Sequence, residues 1–134
     1  MYLVDSSVWV DVLRDRTGAR ARRLRSVLDP RDVVLSRFTQ MELLQGARDQ
    51  REWNLLSRTL DTQQFLEPTP TTWSNAARIF FELRRKGLTI RSAIDCCIAQ
   101  TALENEVVLV HRDRDFETIA TLCPLHQVWL EWGE

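Results

Sequence analysis

The sequence predicts an α/β fold in which a mostly parallel sheet carries helices on both faces. Short apolar segments alternate with longer amphipathic segments along the chain, and this alternation is typical of sheets built from β-α-β units. Residues 107–110 are apolar on both faces, as expected for an inner strand of a parallel sheet. No repeat, linker or low-complexity segment interrupts the alternation, so residues 1–134 are interpreted as a single domain.

The first half of the chain is predicted to hold two strands and four helices. Residues 1–4 are mostly apolar and predict a strand, and the apolar residues after Asp5 recur at helical spacing. Phe38, Met41 and Leu44 fall on one stripe of a later helix, which a glycine ends. The remaining predictions are a basic helix at 18–28, a strand at 33–35, and helices at 36–46 and 50–60.

The second half has its clearest helical pattern at residues 72–86. Trp73, Ala77, Phe80 and Leu83 are predicted to form the inward face of this helix, which ends at a glycine. The other predicted elements are an extended piece at 65–66, a helix at 92–103, a strand at 107–110, a short helix opened by the polar turn 111–116, and a strand at 127–130.

The composition is that of an ordinary globular protein. Of the 134 residues 44% are hydrophobic, and no apolar run is long enough to span a bilayer. No signal peptide precedes the first predicted strand, so a cytoplasmic location without membrane contact is expected. Cys96, Cys97 and Cys123 lack zinc-finger spacing and are interpreted as reduced and mostly buried, with a redox pair as the less favoured alternative.

The net charge of −1 conceals three basic clusters. The first has six arginines between Arg14 and Arg25, the second lies within residues 84–91, and the third is formed by Arg112 and Arg114. Clusters of this kind suit a polyanion such as nucleic acid. For any single cluster a solvated helix face is the simpler interpretation, but three clusters beside candidate acidic positions favour nucleic acid.

Asp5 is predicted to lie at the carboxyl end of the first strand, just before a helix begins. In open α/β sheets this is the edge at which ligands bind. Ser6 or Ser7 is able to cap the helix, which would leave the Asp5 carboxylate free. The alternative is that Asp5 is a solvated loop acid or is itself part of the cap.

Four acidic positions are predicted to meet at this edge. Asp5 and Asp113 follow strands, while Glu42 and Asp95 lie in helices that begin beside the same edge. Each also has a simpler explanation: Glu42 as a solvated helix residue, Asp95 as a partner of the helix dipole, and Asp113 or Asp115 as a helix cap.

A meeting of four ionised carboxylates would require a cation. Two like charges 4 Å apart repel by roughly 4 kcal/mol at an effective dielectric constant of 20. Oxygen-only ligands suit Mg²⁺ or Mn²⁺. Zinc is disfavoured, because the two histidines, His111 and His126, do not have the spacing of zinc ligands.

Four short motifs resemble those of the PIN-domain nucleases, and most closely the VapC toxins of bacterial toxin–antitoxin pairs. The motifs occupy residues 3–11, 42–46, 94–99 and 112–116, in the order found in the family. The similarity covers nearly the whole chain. It implies a three-layer α/β/α fold, a divalent metal and cleavage of RNA.

The resemblance also assigns roles to individual residues. Ser6 matches a hydroxyl residue that often follows the first aspartate, and Asp115 matches an acid sometimes found near the metals. His111 stands where the family usually has Thr or Ser. Its ring is interpreted as a partly exposed loop imidazole, with support of the acidic turn or contact with substrate as alternatives. The positions that match the family's acidic residues are Asp5, Glu42, Asp95 and Asp113.

By this resemblance the chain would hydrolyse RNA phosphodiesters with a water activated by Mg²⁺ or Mn²⁺. Asp5, Asp95 and Asp113 would hold one ion, and Glu42 would bind a second ion or orient the attacking water. The family further implies a homodimer and inhibition by a cognate VapB-type antitoxin. The arginines predicted to contact the RNA backbone are Arg14, Arg112 and Arg114.

Two other functions fit parts of the pattern. A phosphatase of the haloacid dehalogenase type also begins with a strand that ends in aspartate, but its chemistry needs a second acid where this chain has Ser7. A non-catalytic RNA- or protein-binding module with the same fold is the second alternative. The presence of all four acids argues against it, and titration with Mn²⁺ would separate the two.

Overall fold

The central sheet is built entirely from parallel strands. The structure is a computed structural model that describes residues 1–133, and in this range five strands pair in the order β3-β2-β1-β4-β5. This confirms the predicted sheet and the predicted positions of its strands. The strands are β1 (Tyr2–Val4), β2 (Val33–Ser36), β3 (Gln64–Leu66), β4 (Val108–His111) and β5 (Gln127–Trp129).

Seven α-helices in the described range flank this sheet, which confirms the layered α/β/α arrangement. The longest, α5, has 16 residues. No helix within residues 1–133 combines the length and the apolar character needed to cross a membrane. The helices are α1 (Ser6–Arg14), α2 (Ala19–Val27), α3 (Arg37–Gln45), α4 (Gln50–Asp61), α5 (Pro70–Arg85), α6 (Ala93–Asn105) and α7 (Arg114–Ala120).

The sheet divides the core into two clusters, because successive side chains of a strand point to opposite faces. Leu3 and Leu109 pack with buried residues of α5, α6 and α7. Val4 and Val110 pack with buried residues of α1, α2 and α4. The inner strands are therefore apolar on both faces, which explains why their sequences show no alternation of polar and apolar residues.

The stripe that α3 buries differs from the predicted one. Phe38 is buried as predicted, and Leu44 is half-buried, but Met41 is 48% exposed. Leu43 is buried instead and belongs to the cluster on the α1 side of the sheet, while Phe38 belongs to the opposite cluster. Helix α3 therefore contributes to both clusters, and a single stripe does not describe its buried surface.

The first three positions of the buried stripe of α5 are displaced by one residue from the prediction. Thr72, Ala76 and Ile79 are buried, whereas Trp73 is 54% exposed and Ala77 is exposed. Phe80 is half-buried, and Leu83 is buried as predicted. The reason lies in Thr72, whose hydroxyl accepts a hydrogen bond from the backbone of Thr69 and donates one to Glu104 of α6. These bonds hold Thr72 on the inward face of the helix, although a search for apolar residues alone does not include it.

The order of the strands creates a crevice between the ends of β1 and β4. From β1 the chain adds β2 and β3 on one side, and then returns to add β4 and β5 on the other. Ligands of open parallel sheets bind outside the carboxyl ends of the strands at such a reversal. Asp5 directly follows β1, and Asp113 lies two residues beyond the end of β4. The topology therefore brings both predicted acids to this crevice.

Candidate metal centre

Three carboxylates form a close group at the crevice. One side-chain oxygen from each of Asp95, Asp113 and Asp115 lies within 4.8 Å of the other two. Asp95 and Asp115 are buried, and Asp113 is half-buried. Asp115, to which the resemblance assigned only a supporting role, therefore belongs to the close group itself. Asp5 lies near enough for its charge to act on Asp95, and Glu42 lies near enough to be affected by the charge of Asp113.

Local hydrogen bonds fix the three aspartates in place. Asp113 is the N-cap of α7, where its Oδ1 accepts a hydrogen bond of 2.9 Å from the backbone N–H of Asp115. The backbone N–H of Arg91 donates to Asp115 Oδ2 at 3.1 Å. Asp95 lies in the first turn of α6, which Ser92 caps as predicted. The positive end of this helix dipole favours an acidic side chain at that position.

Asp5 places a buried carboxylate at the end of β1. Its Oδ2 accepts hydrogen bonds from the backbone N–H of Ser7 at 3.0 Å and from the Ser7 hydroxyl at 2.6 Å. Asp5 is therefore the N-cap of α1, and the prediction that Ser6 or Ser7 caps this helix is wrong. Asp5 Oδ1 is buried and has no hydrogen-bond partner among residues 1–133. Since a buried polar atom without a partner is unfavourable, this oxygen is the part of Asp5 that remains open to a ligand.

The hydroxyl of Ser7 links the ends of β1 and β4. It donates to Asp5 Oδ2 and accepts a hydrogen bond of 2.9 Å from the backbone N–H of Arg112. Ser7 and Arg112 are 105 positions apart in the chain. The sequence suggested Ser7 only as a helix cap, because nothing local in the sequence indicates which strand lies beside β1.

Glu42 approaches the crevice from α3, where the hydroxyl of Ser6 donates to its Oε1 at 3.2 Å. Helix α3 begins directly after β2, and Ser36 caps it. The side chain of Glu42 is half-buried. Ser6, which the resemblance gave a supporting role, therefore holds the side chain of Glu42, the acid that approaches the crevice from α3.

Burial, together with neighbouring acidic groups, raises the pKa of three carboxyl groups at the site. Burial raises the pKa of Asp95 to about 8, and a hydrogen bond with Asp115 and the charges of Asp113 and Asp5 act in the same direction. Burial also raises the pKa of Asp5. Partial burial and then the charge of Asp5 raise the pKa of Glu42. These shifts show that negative charge is crowded in a poorly solvated place, as a site for a cation requires.

Arg91 is paired with the acidic cluster, although the sequence placed it only in the second basic cluster. Its Nη2 lies 2.8 Å from Asp113 Oδ1, and its Nε lies 3.4 Å from Asp115 Oδ2. This pairing raises the pKa of the Arg91 guanidinium. The one local signal for this role is that Arg91 stands four residues before Asp95, at the start of the turn that leads into α6.

The three arginines predicted to contact RNA differ in their surroundings. Arg14 and Arg114 are exposed. Arg112 is half-buried, and its Nε lies 3.1 Å from Asp11 Oδ2. The same Asp11 oxygen accepts a hydrogen bond of 3.0 Å from Trp132 Nε1, and the Arg112 guanidinium lies 5.9 Å from the Trp132 ring. These contacts favour a structural role for Arg112, which fastens the end of the chain to α1, over contact with RNA.

His111 is buried at the end of β4, so its interpretation as a partly exposed loop imidazole is wrong. Its Nδ1 accepts a hydrogen bond of 3.1 Å from the backbone N–H of Asp113. Its Nε2 therefore carries the proton and donates to Gln127 Oε1 at 2.5 Å. The ring also lies 5.1 Å from that of Phe116. His111 thus supports the acidic turn, which was one of the alternatives for this position.

The model of the PIN domain family matches residues 2–122 of the chain. The chain belongs to the PIN domain family. It is 33% identical to ribonuclease VapC11 of Mycobacterium tuberculosis, over 93% of this chain and 96% of that relative. It is also 27% identical to ribonuclease VapC51 of the same organism, over 96% of this chain and 92% of the relative.

Solved structures share the fold of this PIN domain. VapBC2 from Rickettsia felis, bound to a DNA fragment from its promoter, gives a TM-score of 0.77 at 18% identity, covering 97% of this chain and 98% of the other. DNA-bound VapBC from Salmonella typhimurium gives a TM-score of 0.76 at 19% identity, covering 98% and 97%. Because the agreement extends over nearly the full length of both chains, the fold assignment does not depend on any one motif.

The donors of this PIN domain fit a hard divalent cation. The close group of Asp95, Asp113 and Asp115 offers carboxylate oxygens alone, which Mg²⁺ and Mn²⁺ prefer over nitrogen or sulfur. The buried Oδ1 of Asp5 lacks a partner among the described residues, as expected of an oxygen whose ligand is a metal ion. The raised pKa of Asp95 points the same way, since a nearby cation would offset the charge that burial penalises.

Proposed function

We propose that this chain is a divalent-metal-dependent endoribonuclease and the toxin of a toxin–antitoxin pair. The observation that carries the proposal is the close group of buried and half-buried carboxyl groups at the carboxyl edge of the sheet, in which burial and neighbouring acids raise the pKa of Asp95. The similarity to ribonucleases VapC11 and VapC51 over more than nine-tenths of the chain supports RNA as the substrate.

The residues that would hold the ion are Asp5, Asp95 and Asp113, with Asp115 beside them. When bound, Mg²⁺ or Mn²⁺ supplies a polarised water and offsets negative charge on the phosphodiester oxygens. Asp5 would use Oδ1, since its Oδ2 is committed to Ser7. The hydrogen bonds that cap α1 and α7 hold Asp5 and Asp113 before any ion arrives, so the ligands need little rearrangement.

Glu42 is suited to orient the attacking water and to accept its proton. Its pKa is raised toward neutral pH, which makes the carboxylate a stronger base, and the hydroxyl of Ser6 fixes its position. A ligand of a second ion is the other role predicted for Glu42. Ser6 and Ser7 are engaged with Glu42 and Asp5 rather than with a histidine, so water is a better candidate for the nucleophile than either hydroxyl.

Arg14 and Arg114 are the arginines that we retain as contacts to the RNA backbone. Both are exposed, and Arg114 directly follows the ligand candidate Asp113. Contacts with phosphates fix the position of a nucleic acid but carry little sequence information. Substitution of either arginine would therefore weaken binding to all RNAs to a similar degree.

The proposed protein partners are a cognate VapB-type antitoxin and a second copy of the chain. Structural neighbours support the first, since VapBC-5 from Mycobacterium tuberculosis, with a TM-score of 0.65 at 17% identity, is a member of the VapBC family of toxin–antitoxin systems. An antitoxin of this kind would block RNA cleavage when it is produced together with the toxin.

A PIN-like module that binds RNA or protein without catalysis is the alternative function. It would leave the buried carboxylates of Asp5 and Asp95 without the cation that makes their burial favourable. Calorimetric titration with Mn²⁺ separates the two functions, because a module that only binds macromolecules should give no saturable heat.

Cleavage of a mixed RNA preparation tests the proposed reaction. We expect cleavage with Mg²⁺ and none with EDTA, and we expect products with 5′-phosphate and 3′-hydroxyl ends. Products with 2′,3′-cyclic phosphate would contradict the proposal, since they arise when the 2′-hydroxyl of the RNA attacks instead of water. Sequencing the 5′ ends from total RNA after induced expression would then identify the substrate.

A further inference from the structure

The guanidinium of Arg91 contacts the carboxylates that the proposed metal ion needs. Arg91 lies on the irregular segment between α5 and α6. Its Nη2 is 2.8 Å from Asp113 Oδ1, and its Nε is 3.4 Å from Asp115 Oδ2. Asp113 and Asp115 are two of the three members of the close group. A single arginine therefore pairs with two of the three carboxylates of that group in the absence of metal.

The Arg91 side chain is placed to leave this position without disturbing its surroundings. It is 77% exposed, whereas the side chains of Asp113 and Asp115 are 15% and 12% exposed. The backbone N–H of Arg91 donates separately to Asp115 Oδ2 at 3.1 Å. This backbone hydrogen bond keeps Asp115 in place whether or not the guanidinium is paired.

A divalent cation and the guanidinium compete for the same carboxylates. Coupling between two binding events is reciprocal, so an ion that weakens the pairing of Arg91 has its own affinity reduced by the same factor. We propose that Arg91 is a built-in counter-cation of the acidic cluster, which pairs with Asp113 and Asp115 in the metal-free protein and is displaced by a divalent ion. This inference rests on the proposed metal-dependent function.

The competition is measured by calorimetric titration of the full-length protein with Mn²⁺. Arg91→Gln removes the competing charge and should tighten Mn²⁺ binding about tenfold. This is the lower end of the effect on a carboxylate that is expected from a charge about 4–6 Å away, because the Arg91 side chain is largely solvated. Arg91→Lys, which keeps the charge but loses the planar fork, should give an intermediate dissociation constant. A purely structural role of Arg91 would give the opposite result, since loosened carboxylates bind Mn²⁺ more weakly.

Arg84→Gln is the matched control, because it removes the same charge from an exposed arginine near the end of α5. The Arg84 guanidinium lies 5.7 Å from the Phe80 ring, and the ion pairs described for Asp113 and Asp115 are made by Arg91. The Arg84→Gln variant should bind Mn²⁺ with the affinity of the wild type. Equal affinities for wild type and Arg91→Gln would overturn the displacement while leaving the metal site intact. Absence of saturable Mn²⁺ binding in every variant would overturn both the displacement and the proposed function.

A second measurement follows Arg91 in the wild-type protein and does not depend on how a variant folds. In ¹H–¹⁵N spectra the Nε–H signal of Arg91 is assigned by its loss in Arg91→Lys. Titration with Mg²⁺ should shift this signal along the same saturation curve as the backbone amides of Asp113 and Asp115. If the amides shift and the Nε–H signal stays in place, the guanidinium is not displaced and the proposal fails.

Discussion

At the scale of single residues, the two oxygens of Asp5 have different surroundings. Oδ2 accepts two hydrogen bonds from Ser7, and Oδ1 is buried without a partner in the described range. The residue therefore caps a helix through one oxygen, and the other oxygen is the ligand atom of the proposed function. This division of roles allows the structural part and the proposed catalytic part to be separated by one substitution.

We expect Asp5→Asn to abolish Mg²⁺-dependent RNA cleavage while leaving the fold intact. The amide oxygen of asparagine is able to accept both hydrogen bonds from Ser7, but its NH₂ group cannot bind a metal ion. The rate should fall by at least about 100-fold, since even a group that only supports a metal ligand is worth about 10- to 100-fold. Cleavage assays and circular dichroism measure the two expectations.

Asp61→Asn provides the control for this substitution, because it makes the same chemical change at an exposed position near the end of α4. It should leave the cleavage rate unchanged. If Asp5→Asn cuts RNA at the wild-type rate, the metal-ligand assignment is wrong.

The raised pKa of Asp95 predicts that the metal-free protein loses stability as the pH rises. The folded carboxyl has a pKa of about 8, against an ordinary value of 3.8, so the folded state holds a proton that the unfolded state releases between these values. The titration of Asp95 alone should therefore lower the free energy of unfolding from about pH 4 to pH 8, by at most about 1.4 kcal/mol per pH unit. Urea denaturation in EDTA at a series of pH values measures this slope.

Asp95→Asn should flatten much of this slope, because it removes the titrating group. A saturating concentration of Mg²⁺ should do the same in the wild type, since the ion binds the deprotonated carboxylates. An Asp95→Asn protein with the wild-type slope would show that other groups cause the pH dependence.

Sequence reasoning named four acids that lie at or near the crevice, but it did not name all of their partners. Asp5 and Asp113 were predictable because both follow strands, and parallel strands end at one edge. Arg91 and Ser7 were not, because their roles depend on hydrogen bonds across the fold rather than on local pattern. Asp115 was undervalued for the same reason, as its position depends on Arg91.

At the scale of elements, the strands were easier to predict than the faces of the helices. A short apolar run between polar turns identifies a strand of a parallel sheet whichever face it turns to the core. A helix on such a sheet also contacts its neighbours, so its buried surface is broader than one stripe. Phe38 and Leu43 of α3 illustrate this, because they belong to different core clusters.

The burial of α3 predicts unequal effects of two neighbouring substitutions. Leu43→Ala should lower the free energy of unfolding by about 2–5 kcal/mol, because it leaves a cavity beside α1. Met41→Ala should change it by less than about 0.5 kcal/mol, because that side chain is largely exposed. Urea denaturation distinguishes the two, and equal losses would contradict the observed orientation of the helix.

At the scale of the whole molecule, apolar side chains remain on the surface of α5 and just beyond it. Trp73 is 54% exposed, Phe81 is 40% exposed, and Leu88 is 38% exposed. Exposed aromatic groups of this kind are typical of protein interfaces. We expect the purified protein to form a dimer, with a mass by light scattering of twice the 15.7 kDa chain mass. A single species of 15.7 kDa at micromolar concentrations would contradict this prediction.

The site as a whole follows from the strand order rather than from any one motif. The chain places β2 and β3 on one side of β1, and then β4 and β5 on the other side. Acids that follow β1 and β4 meet at this reversal, together with acids from α3 and α6. The order of the motifs along the sequence does not reveal this reversal. The resemblance to PIN-domain nucleases implied the three-layer α/β/α arrangement but not the order of the strands, which the structure establishes.

The position of β1 also has a consequence for protein synthesis. Of the five strands, β1 is translated before the others and is the middle strand of the finished sheet, and one of its two neighbours, β4, comes from residues 108–111. A nascent chain can pair β1 with β2 early, but the other edge of β1 stays open until most of the chain has been translated. An unfinished copy therefore has no crevice between β1 and β4 in which to collect its acids. Translation that stops early should release fragments without the proposed activity.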